Sequence, residues 1–289
     1  MAGSIERVVD AHVHLWDPAR ADWYPYLAGR QDIGMGDISR MCRLFDQKTY
    51  VAESAAWPIQ KFVHVAAATP AVGLSETAEL EEQAQASGHP DAIIGSVNPA
   101  HTVSEMVDAL DRQLATSPRF RGVRAPGLPT GPVPPPEVLR GLAERGLVFD
   151  LMAHPDELHD AARALAGHDD LTVVVEHAGW PRTDTDDEHE LWRAGMAELA
   201  GLGPRVHCKV SGLAMPLATM APSAYRRWVE GCLELFGVDR CLFASNFPVD
   251  GLHGTFDELF TTYDELTEHL DPAAREKVFA ANAERVYRC

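Results

Sequence analysis

The stretch VVDAHVHLWDP, residues 8–18, joins an apolar, β-branched run to a His-x-His pair. Side chains alternate across a strand, so His12 and His14, two residues apart, share a face at the carboxyl end of this run. Seven further apolar runs follow: KFVHVAAA (61–68), DAIIGSVNP (91–99), RFRGVRAP (119–126), GLVFDLMAH (146–154), LTVVVEHAG (171–179), RVHCKVSGL (205–213) and RCLFASNFP (240–248). From the second onward they start roughly every 24 to 35 residues, the length of a strand-plus-helix unit.

Helical patterns fill the gaps. Residues 75–87 are rich in Ala, Glu and Gln, and Thr102 with Glu105 marks a capping box before residues 103–115. Residues 135–146 begin on proline and end on Gly146. Four later segments carry apolar residues at three- and four-residue spacing, and a last helix closes the chain. Eight strands alternating with helices in 289 residues predict an α/β fold, a (β/α)8 TIM barrel, as a single domain over 1–289. The rival, an open doubly wound sheet, lacks a glycine-rich fingerprint after its first strand. Residues 16–60 read as a long loop and helix insertion after the first strand, with 16–36 rich in Trp, Tyr, Pro and Gly over the barrel mouth.

The formal net charge of −18, from 25 basic and 43 acidic residues, disfavours nucleic acid and anionic membranes as partners. No run of about 18 apolar residues suggests a membrane span, and the first residues lack a signal-peptide pattern. Five cysteines with no CxxC pair read as reduced thiols in a cytoplasmic protein. The expected partner is a small-molecule substrate, and a homo-oligomer is left open.

In a barrel of this type the site lies at the carboxyl ends of the strands. His12 and His14 stand there on the first run, and two imidazoles can embrace one ion, zinc taking nitrogen at about 2.0–2.1 Å. A bare His-x-His also occurs for packing; its place at a strand end favours the ligand reading. Other runs end in polar residues too: His177 on the sixth, Lys209 and Ser211 on the seventh, Asn246 on the eighth, Arg124 on the fourth, His154 after the fifth, with His64 inside the second. Singly, each has a plain structural role, a paired lysine or a turn-capping asparagine. Stability requires no ring of polar groups at one end of a barrel, which favours a site.

DAHVHLWDP, FRGVR, FDLMAHPDEL, EHAGWP, HCKVSGL and FASNFPVD, in this order, resemble the amidohydrolase superfamily, in the amidohydrolase-related branch of sugar-lactone and dicarboxylate-lactone hydrolases. The resemblance implies small, often anionic substrates with a hydrolysable ring ester. It implies a divalent metal, zinc first, on His12, His14 and His177. It also sets Asn246 of SNFP where the family often has the aspartate of SDWP. An amide is no base near neutral pH and offers only a neutral oxygen and an NH2 donor, so a metal-free site is the alternative. Asp250 is a candidate for the missing carboxylate, and Asn246, Asp250 and His154 are the catalytic candidates. Arg124, Lys209, His64 and Ser211 are the substrate-binding candidates, Arg124 as a bidentate partner for a carboxylate. The expected reaction is hydrolysis of a lactone or related cyclic ester. A decarboxylase or other lyase, a metal-independent cyclase or isomerase, and a non-catalytic ligand-binding barrel are the alternatives.

Overall fold

The computed structural model describes residues 5–29, 35–128 and 131–289. Within them the eight apolar runs form strands: β1 (Val8–Val13), β2 (Ile59–Val65), β3 (Ala92–Ser96), β4 (Phe120–Arg124), β5 (Val148–Leu151), β6 (Thr172–Val175), β7 (Val206–Val210) and β8 (Cys241–Phe243). They form one sheet in sequence order, each pair parallel. The ring closes between β8 and β1 through a few bonds. The Asn246 amide donates to the His12 carbonyl at 2.9 Å, the His14 amide donates to the Phe247 carbonyl at 2.9 Å, and Val13 bridges Phe247 in parallel. This is the (β/α)8 barrel the sequence predicts.

Asp10 pins the same seam. Its carboxylate accepts the amides of Ser245 (2.8 Å) and His12 (3.2 Å) and the Tyr50 hydroxyl (3.0 Å). Burial nevertheless pushes it up to about 6. Tyr50 comes from the helix Gln47–Glu53, capped by Asp46, so the excursion between β1 and β2 is tied to the barrel wall. The excursion also holds a short helix, Pro25–Ala28, a 3-10 turn, Ser39–Met41, and an antiparallel bridge between Trp16 and Phe45. Residues 30–34, part of the loop expected over the mouth, lie outside the described residues, as do 1–4 and 129–130.

Two apolar clusters separate the inside of the barrel from its helical coat. The inner one joins alternate strand residues, among them Val9, Ala11, Val63, Val65, Ile94, Val174 and Leu242, to Ala280, Ala283, Val286 and Tyr287 of the last helix. That helix therefore plugs the barrel. The outer cluster packs helix faces on the strands. The helix Val103–Thr116 carries the expected Thr102–Glu105 capping box and buries Met106 and Leu110. Each such side chain contributes about 1.5–3 kcal/mol, and Leu110→Ala would cost about 2–5 kcal/mol through the cavity it leaves.

One irregularity aims the first strand. Between Asp10 and Val13, three steps of β1 oppose two steps of β2, from Phe62 to His64. Such a bulge shifts the alternation by one residue. Val9 and Ala11 belong to the inner cluster and Asp10 meets Tyr50 outside it, yet His12 and His14 beyond the bulge turn inward together. No helix among the described residues is long and apolar enough to cross a membrane.

Candidate active site

At the carboxyl ends of the strands lies a cavity of about 380 Å³, bordered by His14, His177, Arg124 and Asn246 and walled largely by methionine, tryptophan, alanine and proline. Ligand sites of small molecules span about 300–1,000 Å³. Beneath it, His12 and His14 bring their Nε2 atoms to 3.1 Å. Two nitrogens held tetrahedrally on one zinc at 2.0–2.1 Å would stand about 3.3 Å apart, so this spacing suits a shared ion. The Nδ1–H of His14 donates to the Val65 carbonyl at 2.8 Å, leaving Nε2 free, the usual tautomer of a ligand imidazole.

Glu176 and His177 form a second group with His12, reached by Glu176 from the Nδ1 edge of that ring. Donor atoms of His12, Glu176 and His177 all lie within 4.8 Å of one another, and the three residues are buried. Glu176 Oε1 is 3.7 Å from His12 Nδ1, and Oε2 is 3.9 Å from His177 Nε2 and 3.6 Å from Arg124 Nη1. These separations exceed hydrogen-bond length, and neither oxygen has a hydrogen-bond partner among the described residues. Arg124 stands beside it as a cation, but a fully buried carboxylate without hydrogen-bond donors remains costly. The donor set therefore fits a divalent metal.

The electrostatics agree. Burial, reinforced by Lys209 for His12 and by Arg124 for His14 and His177, holds all three imidazoles well below the ordinary histidine range. They are neutral near pH 7, as ligands must be. Burial pushes Glu176 the other way, above the usual carboxylate range, against the pull of Arg124 and Lys209.

His177 stands on an unusual turn. His177 (φ 54°), Ala178 (φ 52°), Gly179 (φ 73°) and Trp180 (φ 39°) are consecutive residues in the left-handed region. Three of them carry side chains, a strained arrangement of the kind that clusters at functional sites. The turn breaks strand alternation, so Glu176 and His177 can both reach one centre. Gly212 of β7's exit makes room for the ring. A Cβ there would lie 2.5 Å from His177 Nδ1, and its φ of +67° already favours glycine.

The remaining sequence candidates fall into two groups. Arg124 and Asn246 border the cavity. Arg124 donates through Nη2 to the Ala66 carbonyl, while its Nε has no acceptor among the described residues. Asn246 (φ 56°) donates its amide to Asp250 Oδ1 at 2.8 Å, and its own Oδ1 has no partner among the described residues. The others stand behind the wall. Asp250 is fully buried behind Asn246, and burial pushes it up to about 7. Ser211 is not a cavity residue; its hydroxyl holds His177 Nδ1 at 3.1 Å. His154 stacks on Trp180, centroids 4.3 Å apart, with Nδ1 donating to the Trp180 carbonyl at 2.9 Å.

Two more of the expected substrate contacts, like Ser211, stand outside the cavity. His64 lies on the outward face of β2, where its Nδ1 accepts the Leu15 amide at 3.3 Å and its Nε2 is 3.5 Å from Glu76. Glu76 in turn accepts the amides of Ala67 and Ala68, so this pair braces the cavity rim from outside. Lys209 is fully buried below the histidines. Its ammonium meets Asp150 at 2.6 Å and reaches His12 Nδ1 at 3.5 Å, which leaves it unavailable to a substrate carboxylate. Tyr287 of the plugging helix donates to the same Asp150 at 3.0 Å. Glu176, Asp150 and Tyr287 were not among the sequence candidates.

A parallel barrel with imidazoles and a carboxylate converging at its strand ends is an enzyme architecture. The amidohydrolase family model matches residues 9–289, and the chain belongs to that family. It is 30% identical to an L-fucono-1,5-lactonase of Burkholderia ambifaria, with 97% of this chain and 95% of that protein aligned. It is also 30% identical to the uncharacterized protein y4mH of Sinorhizobium fredii, over 97% and 98% of the two chains. Among solved structures, an amidohydrolase of Burkholderia multivorans with bound zinc superposes with a TM-score of 0.80 at 26% identity, over 97% of this chain and 99% of that one.

Proposed function

We propose that this protein is a divalent-metal-dependent hydrolase that opens a lactone or related cyclic ester of a small molecule. The observation that carries the reading is the buried Glu176 carboxylate, with no hydrogen bond from the described residues, beside His12 and His177 under an open cavity. The similarity to lactonases over nearly the whole chain supports the choice of ester over other bonds. His12, His14, Glu176 and His177 would hold the metal, zinc being the ion bound in the similar structure. When bound, such a metal polarises the carbonyl and acidifies water.

The chain's own groups do the rest. Arg124 borders the cavity and offers its guanidinium to the substrate carbonyl or to a carboxylate. Asn246, its NH2 held by Asp250, presents Oδ1 to orient the attacking water. Glu176, beside His12 and His177, accepts a proton from that water and returns it to the ring oxygen. Water oxygen bonds to the carbonyl carbon, the ring C–O bond breaks, and the product is an open-chain hydroxy acid.

The test is a lactone panel with zinc-loaded protein in isotopically labelled water. The expected result is one labelled oxygen in the product carboxylate and no CO2. Release of CO2 from a carboxylated substrate, without label uptake, would replace this reading with a lyase.

A further inference from the structure

We infer that the substrate ring carries an alkyl or aryl substituent and few hydroxyls, in contrast to a sugar lactone. The inference rests on the lactonase reading above. Four of the chain's eight methionines, Met35, Met41, Met152 and Met215, border the cavity together with Trp16 and Trp180. Thioethers are feeble acceptors and donate nothing, whereas they adapt well to irregular apolar shapes.

Polar side chains are the minority of the described wall, and two of them are engaged elsewhere. The Trp16 indole N–H donates to the Arg43 carbonyl at 3.1 Å, and the Tyr26 hydroxyl donates to the Ala67 carbonyl at 3.0 Å. Ser96 Oγ is a wall hydroxyl without a partner among the described residues. Arg124, Asn246 and the histidines serve the reacting carbonyl and water. A sugar lactone brings hydroxyls on most of its ring carbons. Buried against methionine and indole, they would lose water without gaining partners. An alkyl or aryl group would instead convert the same surfaces into favourable burial. The volume of about 380 Å³ accommodates a six-membered ring with one such substituent.

The experiment compares zinc-loaded full-length protein on δ-decalactone and dihydrocoumarin with the same protein on L-fucono-1,5-lactone and D-glucono-1,5-lactone. The expected kcat/KM is at least about 100-fold higher for the first pair, the scale on which a hydrophobic pocket discriminates against one added hydroxyl. Met41→Gln and Met215→Gln, checked for folding by melting temperature, should each narrow that ratio, by about tenfold. Equal or faster turnover of the sugar lactones by the parent protein overturns the inference and leaves the lactonase reading standing. If no lactone turns over, the lactonase reading fails, and calorimetry with non-hydrolysable lactams still decides the inference. Tighter binding of a phenyl-substituted piperidinone supports it, and tighter binding of a polyhydroxylated piperidinone overturns it.

Discussion

The ends of β6 and β8 face the same cavity and handle acidity in opposite ways. At β6 the carboxylate of Glu176 stands among the imidazoles with no hydrogen bond from the described residues. At β8 an amide, Asn246, fronts the cavity, and the acid, Asp250, hides behind it in contact with that amide. The negative charge that could balance a metal therefore enters from the sixth strand. The eighth supplies a neutral oxygen and a buried acid that burial keeps near the point of protonation. A short sequence span decides each end, four left-handed residues on one side and a hydrogen-bonded Asn-Asp pair on the other.

The contrast can be broken first at Glu176. Glu176→Gln keeps the shape but removes the charge, and should lower kcat/KM by about 10³-fold or more with loss of bound zinc. Metal analysis beside turnover checks this; a variant that keeps both shows that the sixth strand does not carry the charge.

The second break is at Asp250, read as stability. Its carboxyl lies at about 7 when folded and at about 3.8 when exposed. Below pH 4 both states are protonated. Between about 4 and 7 the unfolded chain releases its proton first, so this group costs increasing stability as pH rises, to a limit on the order of 4 kcal/mol above pH 7. Asp250→Asn removes that cost. Melting curves should therefore show the variant gaining on the parent from pH 4 to 7 and then holding a constant lead. A pH-independent difference would mean that the acid is not held protonated by burial.

Asn246→Asp sharpens the comparison. Two carboxyls sharing the 2.8 Å contact with residue 250 must share a proton, so the single change should lower activity by about tenfold. Adding Asp250→Asn should restore it, and a double variant no better than the single one refutes the pairing. The smallest effect is expected at Tyr287→Phe, which removes a hydrogen bond to Asp150 far below the cavity. It should cost about 1 kcal/mol in chemical denaturation and leave KM unchanged.

The barrel was legible because its signal is a period: eight apolar runs, evenly spaced from the second onward and separated by helical patterns. His12, His14, His177, Arg124 and Asn246 were legible because they stand at strand ends. What escaped did so where alternation fails. Neighbours such as Glu176 and His177 should point to opposite faces, and only the left-handed turn after β6 brings both to one centre. His64 sits on the outward face of a regular strand, so its type suggested a site that its register forbids. Lys209 points inward, but Asp150, drawn from β5, meets it there. Partners remote in sequence leave no local mark.

The turn that carries His177 also carries Trp180, and the two rings lie 5.7 Å apart, one a candidate ligand and the other a wall of the cavity. Four short residues couple them as a stiff rocker coupling its two arms. A substitution that shifts this turn therefore disturbs at once a wall of the cavity and the backbone that seats His177.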